Sequence, residues 1–176
     1  MTGKASDVIK QRLRDVPDFP KPGIVFKDIT PLLADPNAFN LCLDTTAAHF
    51  DSVTLDAIVG IESRGFIFGA ALASRMRIAF IPARKPGKLP YRKTRVDYDL
   101  EYGKDALEMH EDAIKQGDKV LIVDDLLATG GTAWAACELV RLSGGSVVAA
   151  SFVVELTFLG GRQRLQPVEV FSLVQY

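Results

Sequence analysis

The hydrophobic positions of the chain predict buried strands that alternate with helices. Four apolar runs lack regular polar alternation, which is typical of strands covered on both faces. They span residues 57–61, 78–83, 119–123 and 147–154. Helical spacing of apolar residues, with capping residues at several ends, predicts helices over 6–14, 35–50, 65–76, 132–143 and 158–165. Strands separated by helices indicate an α/β fold, with a parallel sheet as its core and helices on its flanks.

Two segments interrupt this alternation. Residues 17–23 contain three prolines and a glycine, which predicts an irregular N-terminal extension over about 1–33. Residues 84–103 begin with basic side chains and end with acidic and aromatic ones. A segment of this length without an element of its own is usually functional, so we predict a flexible loop, with a solvated basic hairpin as the alternative. No internal repeat or linker divides the chain, so we expect one domain over 1–176.

The composition narrows the possible classes of protein. The chain has 176 residues, of which 48% are hydrophobic. Its 21 basic and 22 acidic side chains give a net charge of −1, so there is no overall electrostatic field to attract a nucleic-acid backbone. Cys42 and Cys137 lie far apart, which argues against a disulfide framework or a zinc site. The longest apolar stretch is too short to span a membrane, and the charged N-terminus is unlike a signal peptide. We therefore expect a cytoplasmic protein that binds neither nucleic acid nor membranes.

Residues 120–132, VLIVDDLLATGGT, carry the strongest chemical signal. An apolar strand delivers Asp124 and Asp125 at its carboxyl end, where open α/β sheets bind their ligands. A glycine turn then leads into a helix, whose first N–H groups form an anion site together with nearby hydroxyls. The predicted phosphate ligands are Ala128, Thr129, Gly130, Gly131 and Thr132. Paired carboxylates suit vicinal hydroxyls, so the two halves together predict a site for a ribose 5-phosphate.

A second anion site is predicted at residues 62–65, which also connect a strand to a helix. Arg64 supplies a fixed cation there. Other nucleotide-binding motifs are absent, since neither GxxxxGK[ST] nor a GxGxxG after a strand occurs. A receiver domain is excluded because no aspartate follows Asp125 to act as the phosphate acceptor.

The 13 residues of 120–132 resemble the phosphoribosyl-pyrophosphate (PRPP) signature of the type I phosphoribosyltransferases. Further similar segments occur in family order, namely 22–33, 61–69, 84–90, 100–103 and the final FSLVQY. RKPGKLP together with LEYG is similar to the adenine-specific branch of the family. The resemblance implies the type I fold with a small N-terminal base-binding hood. It also implies purine salvage, in which adenine and PRPP give AMP and pyrophosphate, with Mg²⁺ held through PRPP and not directly by the protein, and a homodimer.

The same resemblance implies roles for individual residues. Pyrophosphate is expected to bind to a polar and basic set consisting of Ser63, Arg64, Arg84, Lys85 and Lys88. The Ser63–Arg64 peptide is expected to be cis, and Arg84 is also expected to reach the neighbouring subunit. The expected catalytic residues are Arg64, Glu101, which accepts the N9 proton of adenine, and Tyr102, which packs on ribose or pyrophosphate. Residues 88–103 would form the lid that excludes water.

The expected adenine site consists of Val25, Phe26, Lys27 and Leu126, in a segment that we predict to be irregular over 25–27. Backbone groups there would read the base edge, and Phe26 would stack on the ring with Leu126 on its other side. Relatives often carry arginine at position 27, so the lysine here leaves backbone recognition as the expected contribution.

Two rival functions remain open. One is a phosphoribosyltransferase for a 6-oxopurine or a pyrimidine, which the base segment argues against. The other is a regulator that senses PRPP without catalysis. Such regulators carry a DNA-binding domain, and only about 20 residues precede Val25. Outside the site, we expect His49 and His110 to be structural and Glu155 to order a turn.

Overall fold

The computed structural model describes residues 2–100 and 103–176, and its elements alternate as the pattern indicates. In chain order they are α1 (Thr2–Lys10), β1 (Arg14–Pro17), β2 (Val25–Asp28), α2 (Thr30–Ala34), α3 (Pro36–His49), β3 (Ala57–Ile61), α4 (Gly65–Met76), β4 (Ala79–Ala83), β5 (Lys93–Leu100), β6 (Gly103–His110), β7 (Lys119–Leu127), α5 (Gly131–Leu142), β8 (Ser146–Glu155), a 3₁₀ turn (Thr157–Leu159), α6 (Gly161–Arg164) and β9 (Glu169–Gln175).

Within the described residues, a five-stranded parallel sheet has the order β4-β3-β7-β8-β9. The predicted α/β class is thereby confirmed. From β3 the chain first adds β4 on one side and later β7 on the other, so the order reverses between β3 and β7. Open α/β sheets bind ligands at the carboxyl ends of strands at such a switch point. The sheet order therefore places residues 62–64 and 124–130 side by side at the expected binding edge.

Helices cover both faces of the sheet, and successive strand residues alternate between two cores. Val59 of β3 packs in the core beneath α5, while Ile58 packs in the core beneath α3 and α4. Both side chains are fully buried. This two-sided burial explains why the strands read as continuous apolar runs. None of the described helices is long and apolar enough to cross a membrane.

Residues 93–100 and 103 of the segment predicted as a flexible loop belong to an antiparallel hairpin of β5 and β6. The prediction that the segment has no element of its own was wrong for these residues, and its flexibility stays a prediction. Val96 and Tyr98 on β5 and Leu107 and Met109 on β6 form one buried face, which joins the core with α5. Of the charged residues between them, Arg95 and Asp97 are exposed, whereas Glu108 is buried. A hairpin, as in the alternative, is therefore present, although one of its faces is buried.

Predictions at both ends of the chain also need correction. The first helix is Thr2–Lys10 and not 6–14, because Arg14 already belongs to β1. The segment 25–27, predicted to be irregular, lies in β2, which pairs antiparallel with β1 from Arg14↔Asp28 to Pro17↔Val25. The prolines between these strands form the connection of a hairpin. Strand β9 was not predicted, and the helix predicted over 158–165 is divided at Gly160, which has φ +67°.

Asp28 joins this hairpin to α2 and gives a testable pH dependence. Its carboxylate accepts hydrogen bonds from Thr30 Oγ1 and N, at 2.6 and 2.8 Å, and from Arg14 Nη2 at 2.6 Å. These bonds, those from Thr30 first, lower the pKa of Asp28 from 3.8 to about 2. A depressed pKa contributes stability above the unfolded pKa, and this is lost as the pH falls through the folded pKa.

We therefore expect Asp28→Asn to lower the free energy of unfolding at pH 7. The deficit relative to the unchanged chain should shrink between pH 3.8 and about 2, as the native carboxyl becomes neutral too. Urea unfolding at several pH values measures this difference. Asp51→Asn, at an exposed position, is the control and should show only a small difference in the free energy of unfolding. A deficit of Asp28→Asn that stays constant down to pH 2 would contradict the assignment.

Candidate active site

A cavity of about 340 Å³ opens at the carboxyl ends of β3 and β7. Its walls are the segment 62–64, Lys85 and the continuous stretch 124–133. Every residue of the predicted PRPP motif from Asp124 to Thr132 therefore lines one cavity, together with the second predicted anion site. The two motifs meet because parallel strands end at the same edge of the sheet.

The turn before α5 forms one wall of the cavity. Gly130 has φ +80°, a left-handed conformation that glycine adopts without strain. A Cβ built on Gly130 would lie 2.7 Å from the carbonyl oxygen of Gly161, so the backbone of α6 leaves no room for a side chain. From Gly131 the chain is helical, so its first N–H groups have no partner within the helix, and residues 131–133 line the cavity. The turn thus offers backbone donors to an anion.

Asp124 and Asp125 lie within β7 rather than after it, because the strand continues to Leu127. Asp125 is buried, and its backbone N–H donates to Asp124 Oδ1 at 2.8 Å. Burial and the adjacent Asp125 carboxylate raise the pKa of Asp124 well above its usual value. Burial also raises the pKa of Asp125, while the Arg64 guanidinium opposes this. When they are ionised, these two carboxylates are strong acceptors for hydroxyl donors of a ligand.

Arg64 is the cation next to this pair. Its Nε lies 3.0 Å from Asp125 Oδ2, although this buried oxygen has no well-aligned hydrogen-bond partner in the described part of the chain. Arg64 directly precedes α4, and the next residue, Gly65, has no room for a side chain. A Cβ on Gly65 would lie 2.8 Å from both Asp124 Oδ1 and the Val123 carbonyl oxygen. The start of α4 is therefore in direct contact with β7.

A cis peptide occurs in this turn, but one bond earlier than predicted. The cis bond joins Glu62 to Ser63, and Ser63–Arg64 is not among the cis peptides of the described chain. The expectation for Ser63–Arg64 was therefore wrong in its position. The resemblance concerned a short motif, and it could not distinguish two adjacent peptide bonds.

The structure brings only part of the predicted pyrophosphate set to the cavity. Lys85 lines it, but Arg84 and Lys88 do not. Arg84 Nε donates to Glu62 Oε2 at 2.9 Å, and its Nη1 donates to the Lys88 carbonyl oxygen at 3.0 Å. The Lys85 N–H also donates to Glu62, at 3.1 Å. Glu62, which the sequence did not single out, therefore fixes the segment 84–88 beside the cavity.

Comparisons with known proteins agree with this geometry. A family model described as "Phosphoribosyl transferase domain" matches residues 29–171. The adenine phosphoribosyltransferase of Solibacter usitatus is 58% identical over 168 residues, which cover 96% of this chain and 97% of that protein. That of Roseiflexus castenholzii is 53% identical over the full length of both chains. This chain belongs to the adenine phosphoribosyltransferase family.

Solved structures of the family have the same fold. The enzyme from Thermoanaerobacter pseudethanolicus superposes with a TM-score of 0.95 at 49% identity, covering 97% of this chain and 99% of that one. The enzyme from Saccharomyces cerevisiae, crystallised with an imino-altritol bisphosphate and adenine, gives a TM-score of 0.93 at 42% identity, with coverage of 97% and 99%. The predicted fold and family are thus confirmed.

The base segment of this family member lies only partly at the cavity. Leu126 lines it, and the Phe26 ring centre lies 5.2 Å from the Arg64 guanidinium carbon, so Phe26 borders the second predicted anion site at residues 62–65. Val25 lines a separate apolar cavity of about 600 Å³ between the N-terminal hairpin and the segment 156–159.

The side chain of Lys27 is engaged elsewhere. Lys27 is buried, its Nζ lies 2.7 Å from Asp15 Oδ1, and it stands 3.7 Å from the centre of the Tyr176 ring. These contacts hold the N-terminal hairpin against the end of the chain. They occupy the side chain of Lys27, and recognition of the base by its backbone stays a prediction.

The remaining predicted site residues, Glu101 and Tyr102, lie outside the described residues. Their assigned roles therefore stay predictions. Glu155 orders the C-terminal turn as expected, since it is buried and accepts hydrogen bonds from Arg162, Ser172 and Gln175.

Proposed function

We propose that this chain catalyses the reaction of its family, the transfer of the phosphoribosyl group of PRPP to adenine, which gives AMP and pyrophosphate in purine salvage. One observation carries the proposal. A single cavity combines a helix-start anion site, a pair of acidic acceptors and a fixed arginine, which match the three parts of PRPP. The family relatives at 53–58% identity over nearly the whole chain support adenine as the acceptor.

PRPP is held at two ends. The backbone N–H groups of 128–132 and the hydroxyl of Thr129 bind its 5-phosphate, favoured by the dipole of α5. Asp124 and Asp125 accept hydrogen bonds from the ribose hydroxyls. Burial raises the pKa of both side chains because it makes their ionised forms unfavourable. Hydroxyl donors of a ligand stabilise these ionised forms by hydrogen bonding.

Pyrophosphate is the leaving group, and cations stabilise the charge that develops on it. Ser63 and Arg64 bind it at the start of α4, and Lys85 contributes its ammonium group. We assign Arg84 and Lys88 to the same role in the loaded enzyme. In a homodimer Arg84 also extends toward the neighbouring subunit, and its guanidinium is about one-third exposed, which supports this.

Magnesium fits this site as a partner of PRPP. In residues 2–100 and 103–176, no group of three or more potential metal ligands among His, Cys, Asp and Glu is close enough to bind a metal. The donors present suit an ion that takes most of its ligands from PRPP, with Asp125 Oδ2, which accepts no hydrogen bond from the described residues, near by. Bound Mg²⁺ would neutralise negative charge on pyrophosphate as the glycosidic bond breaks.

Adenine binds between Phe26 and Leu126, with its edge read by backbone groups of 25–27. As the new bond to the ribose forms, N9 must lose its proton, and Glu101 accepts it. Tyr102 packs on ribose or pyrophosphate, and the segment 88–103 closes over the site to exclude water from the oxocarbenium-like centre.

We further assign the enzyme to the cytoplasm as a homodimer that binds neither nucleic acid nor membranes. The near-neutral net charge of −1 supports the lack of a nucleic-acid partner. Cys42 and Cys137 are buried, unpaired thiols, which suits a reducing compartment.

The reaction is tested by pyrophosphate release with PRPP and Mg²⁺, run in parallel with adenine, hypoxanthine, guanine and orotate. We expect AMP with adenine alone, and loss of turnover when EDTA removes Mg²⁺. Turnover with a different base would contradict the assignment of the base segment while leaving the PRPP site intact. No turnover with any base, despite measurable PRPP binding, would instead favour a non-catalytic PRPP sensor.

A further inference from the structure

The Lys85 ammonium group is already held by two residues of the β5–β6 hairpin. Its Nζ donates to the Tyr98 hydroxyl at 2.9 Å and forms an ion pair with Asp105. Tyr98 and Asp105 face each other across the two strands. A lysine has three N–H donors, and these contacts engage two of them. Lys85 therefore enters the cavity on a side chain whose direction the hairpin determines.

The Tyr98 hydroxyl also reaches the other end of the cavity. Thr132 Oγ1 donates to it at 3.2 Å, and the hydroxyl itself donates to Asp105 Oδ2 at 3.3 Å. With the bond from Lys85, both lone pairs and the single proton of this hydroxyl are in use. Tyr98 is only 4% exposed, so these bonds form in a setting where leaving them unmade is unfavourable.

This network joins two groups that bind different parts of one ligand. Thr132 belongs to the phosphate turn and Lys85 to the pyrophosphate side, and both line the same cavity. A free lysine side chain samples many rotamers, and a ligand would have to restrict this freedom on binding. Restraining Lys85 beforehand removes part of that restriction from the binding step.

We propose that Tyr98 is a positioning residue that holds Lys85 and Thr132 in a fixed relation, so that the pyrophosphate and 5-phosphate ends of PRPP are bound by one connected unit. The inference rests on the proposed function, because that function assigns Lys85 to pyrophosphate and Thr132 to the 5-phosphate. Asp105 completes the unit by engaging both the lysine and the tyrosine. The β5–β6 hairpin thereby affects PRPP binding through Lys85 and Thr132.

Tyr98→Phe tests the proposal, because it removes one hydroxyl and keeps the ring in the core. We expect the KM for PRPP and the dissociation constant for pyrophosphate to rise about tenfold, the size of one hydrogen bond to a charged group. The KM for adenine should stay unchanged, and kcat should change less than either constant. Ser52→Ala, which removes a hydroxyl at an exposed position outside the site, is the control and should match the unchanged enzyme.

If Tyr98 had only a structural role, Tyr98→Phe would lower the melting temperature without this selective effect on PRPP and pyrophosphate binding. The same substitution is therefore repeated in a Lys85→Ala background, where it should no longer weaken pyrophosphate binding if Tyr98 acts through Lys85. An equal effect in both backgrounds would overturn the proposal, as would unchanged constants for Tyr98→Phe. If that variant does not fold, a Thr132→Val and Lys85→Ala cycle leaves Tyr98 in place, and additive effects on PRPP binding would contradict the link.

Calorimetry with pyrophosphate separates this inference from the proposed function. If the unchanged chain makes AMP and Tyr98→Phe binds pyrophosphate equally well, the positioning role alone is wrong. If the unchanged chain makes no AMP but binds pyrophosphate, and Tyr98→Phe binds it about tenfold more weakly, the proposed function fails while the positioning role stands.

Discussion

Gly130→Ala is expected to lower kcat/KM for PRPP about 100-fold, because it displaces the backbone that forms the phosphate turn. The new methyl group would lie 2.7 Å from the Gly161 carbonyl oxygen and 3.2 Å from the Gly161 Cα, both backbone atoms that cannot rotate away. Either the turn or α6 must therefore shift. A shift of about 1 Å in groups that orient a substrate is sufficient for a loss of this size. Steady-state kinetics with PRPP as the varied substrate measures the effect.

The matched control is Gly117→Ala. Gly117 has φ +84°, close to the +80° of Gly130, but a Cβ there would meet nothing within 4 Å. Both variants therefore include the cost of a left-handed alanine, about 1–2 kcal/mol, and only Gly130→Ala adds the collision. We expect both to lose thermal stability and only Gly130→Ala to lose PRPP affinity. Equal KM values for PRPP in the two variants would show that the contact with Gly161 does not shape the phosphate turn.

The parts of the fold that the sequence predicts well are those with a local signal. Residues 57–61 and 65–76 are predicted with the bounds that the structure has, since an apolar run and a helical run are separated by a short polar turn. Strand β7 is longer than predicted. Its last residues pair with Val154 and Glu155 of β8, and the two aspartates within it conceal that continuation in the sequence.

The hairpin of β5 and β6 could not be predicted in the same way. Its buried face is formed by alternate residues on two strands, and the exposed residues between them are strongly charged. Val96 pairs directly with Leu107, but each run alone resembles a polar loop with scattered apolar residues. The burial of this face depends on α5, which lies more than 20 residues further along the chain.

The candidate site shows the same division. The anion turns before α4 and α5 could be brought together from the sequence because parallel strands share a carboxyl edge. The directions of the Arg84 and Lys27 side chains could not be predicted from the sequence, since each is set by a partner distant in sequence. Arg84 is held by Glu62, and Lys27 by Asp15 and Tyr176. Motif similarity assigns a residue type to a site but does not specify where its side chain points.

Arg64→Ala is expected to lower kcat/KM for PRPP by about 100- to 1,000-fold, the effect of removing one preorganised donor for a developing anion. Two physical losses combine. The pyrophosphate loses the cation at the start of α4, and the buried Asp125 carboxylate loses the charge whose Nε lies 3.0 Å away. Kinetics with adenine saturating and PRPP varied measures the first loss.

The pH profile measures the second loss. Arg64 opposes the burial that raises the pKa values of Asp125 and Asp124, so removing it should raise both further. Ionised carboxylates are the better acceptors for the ribose hydroxyls. Because a higher pKa leaves them protonated over a wider range, the acidic limb of the kcat/KM profile should move to higher pH in Arg64→Ala.

Arg75→Ala is the control, since Arg75 lies in the last turn of the same helix and pairs with the exposed Asp44. Exposed pairs contribute little, so its activity and pH profile should match those of the unchanged enzyme. An Arg64→Ala variant with an unshifted acidic limb would separate Arg64 from the carboxylate pair. If its kcat/KM were also intact, Arg64 would have no role in binding the leaving group. The two roles of Arg64 are therefore testable separately. Loss of its charge beside Asp125 shifts the pH profile, whereas loss of its donor to pyrophosphate lowers kcat/KM.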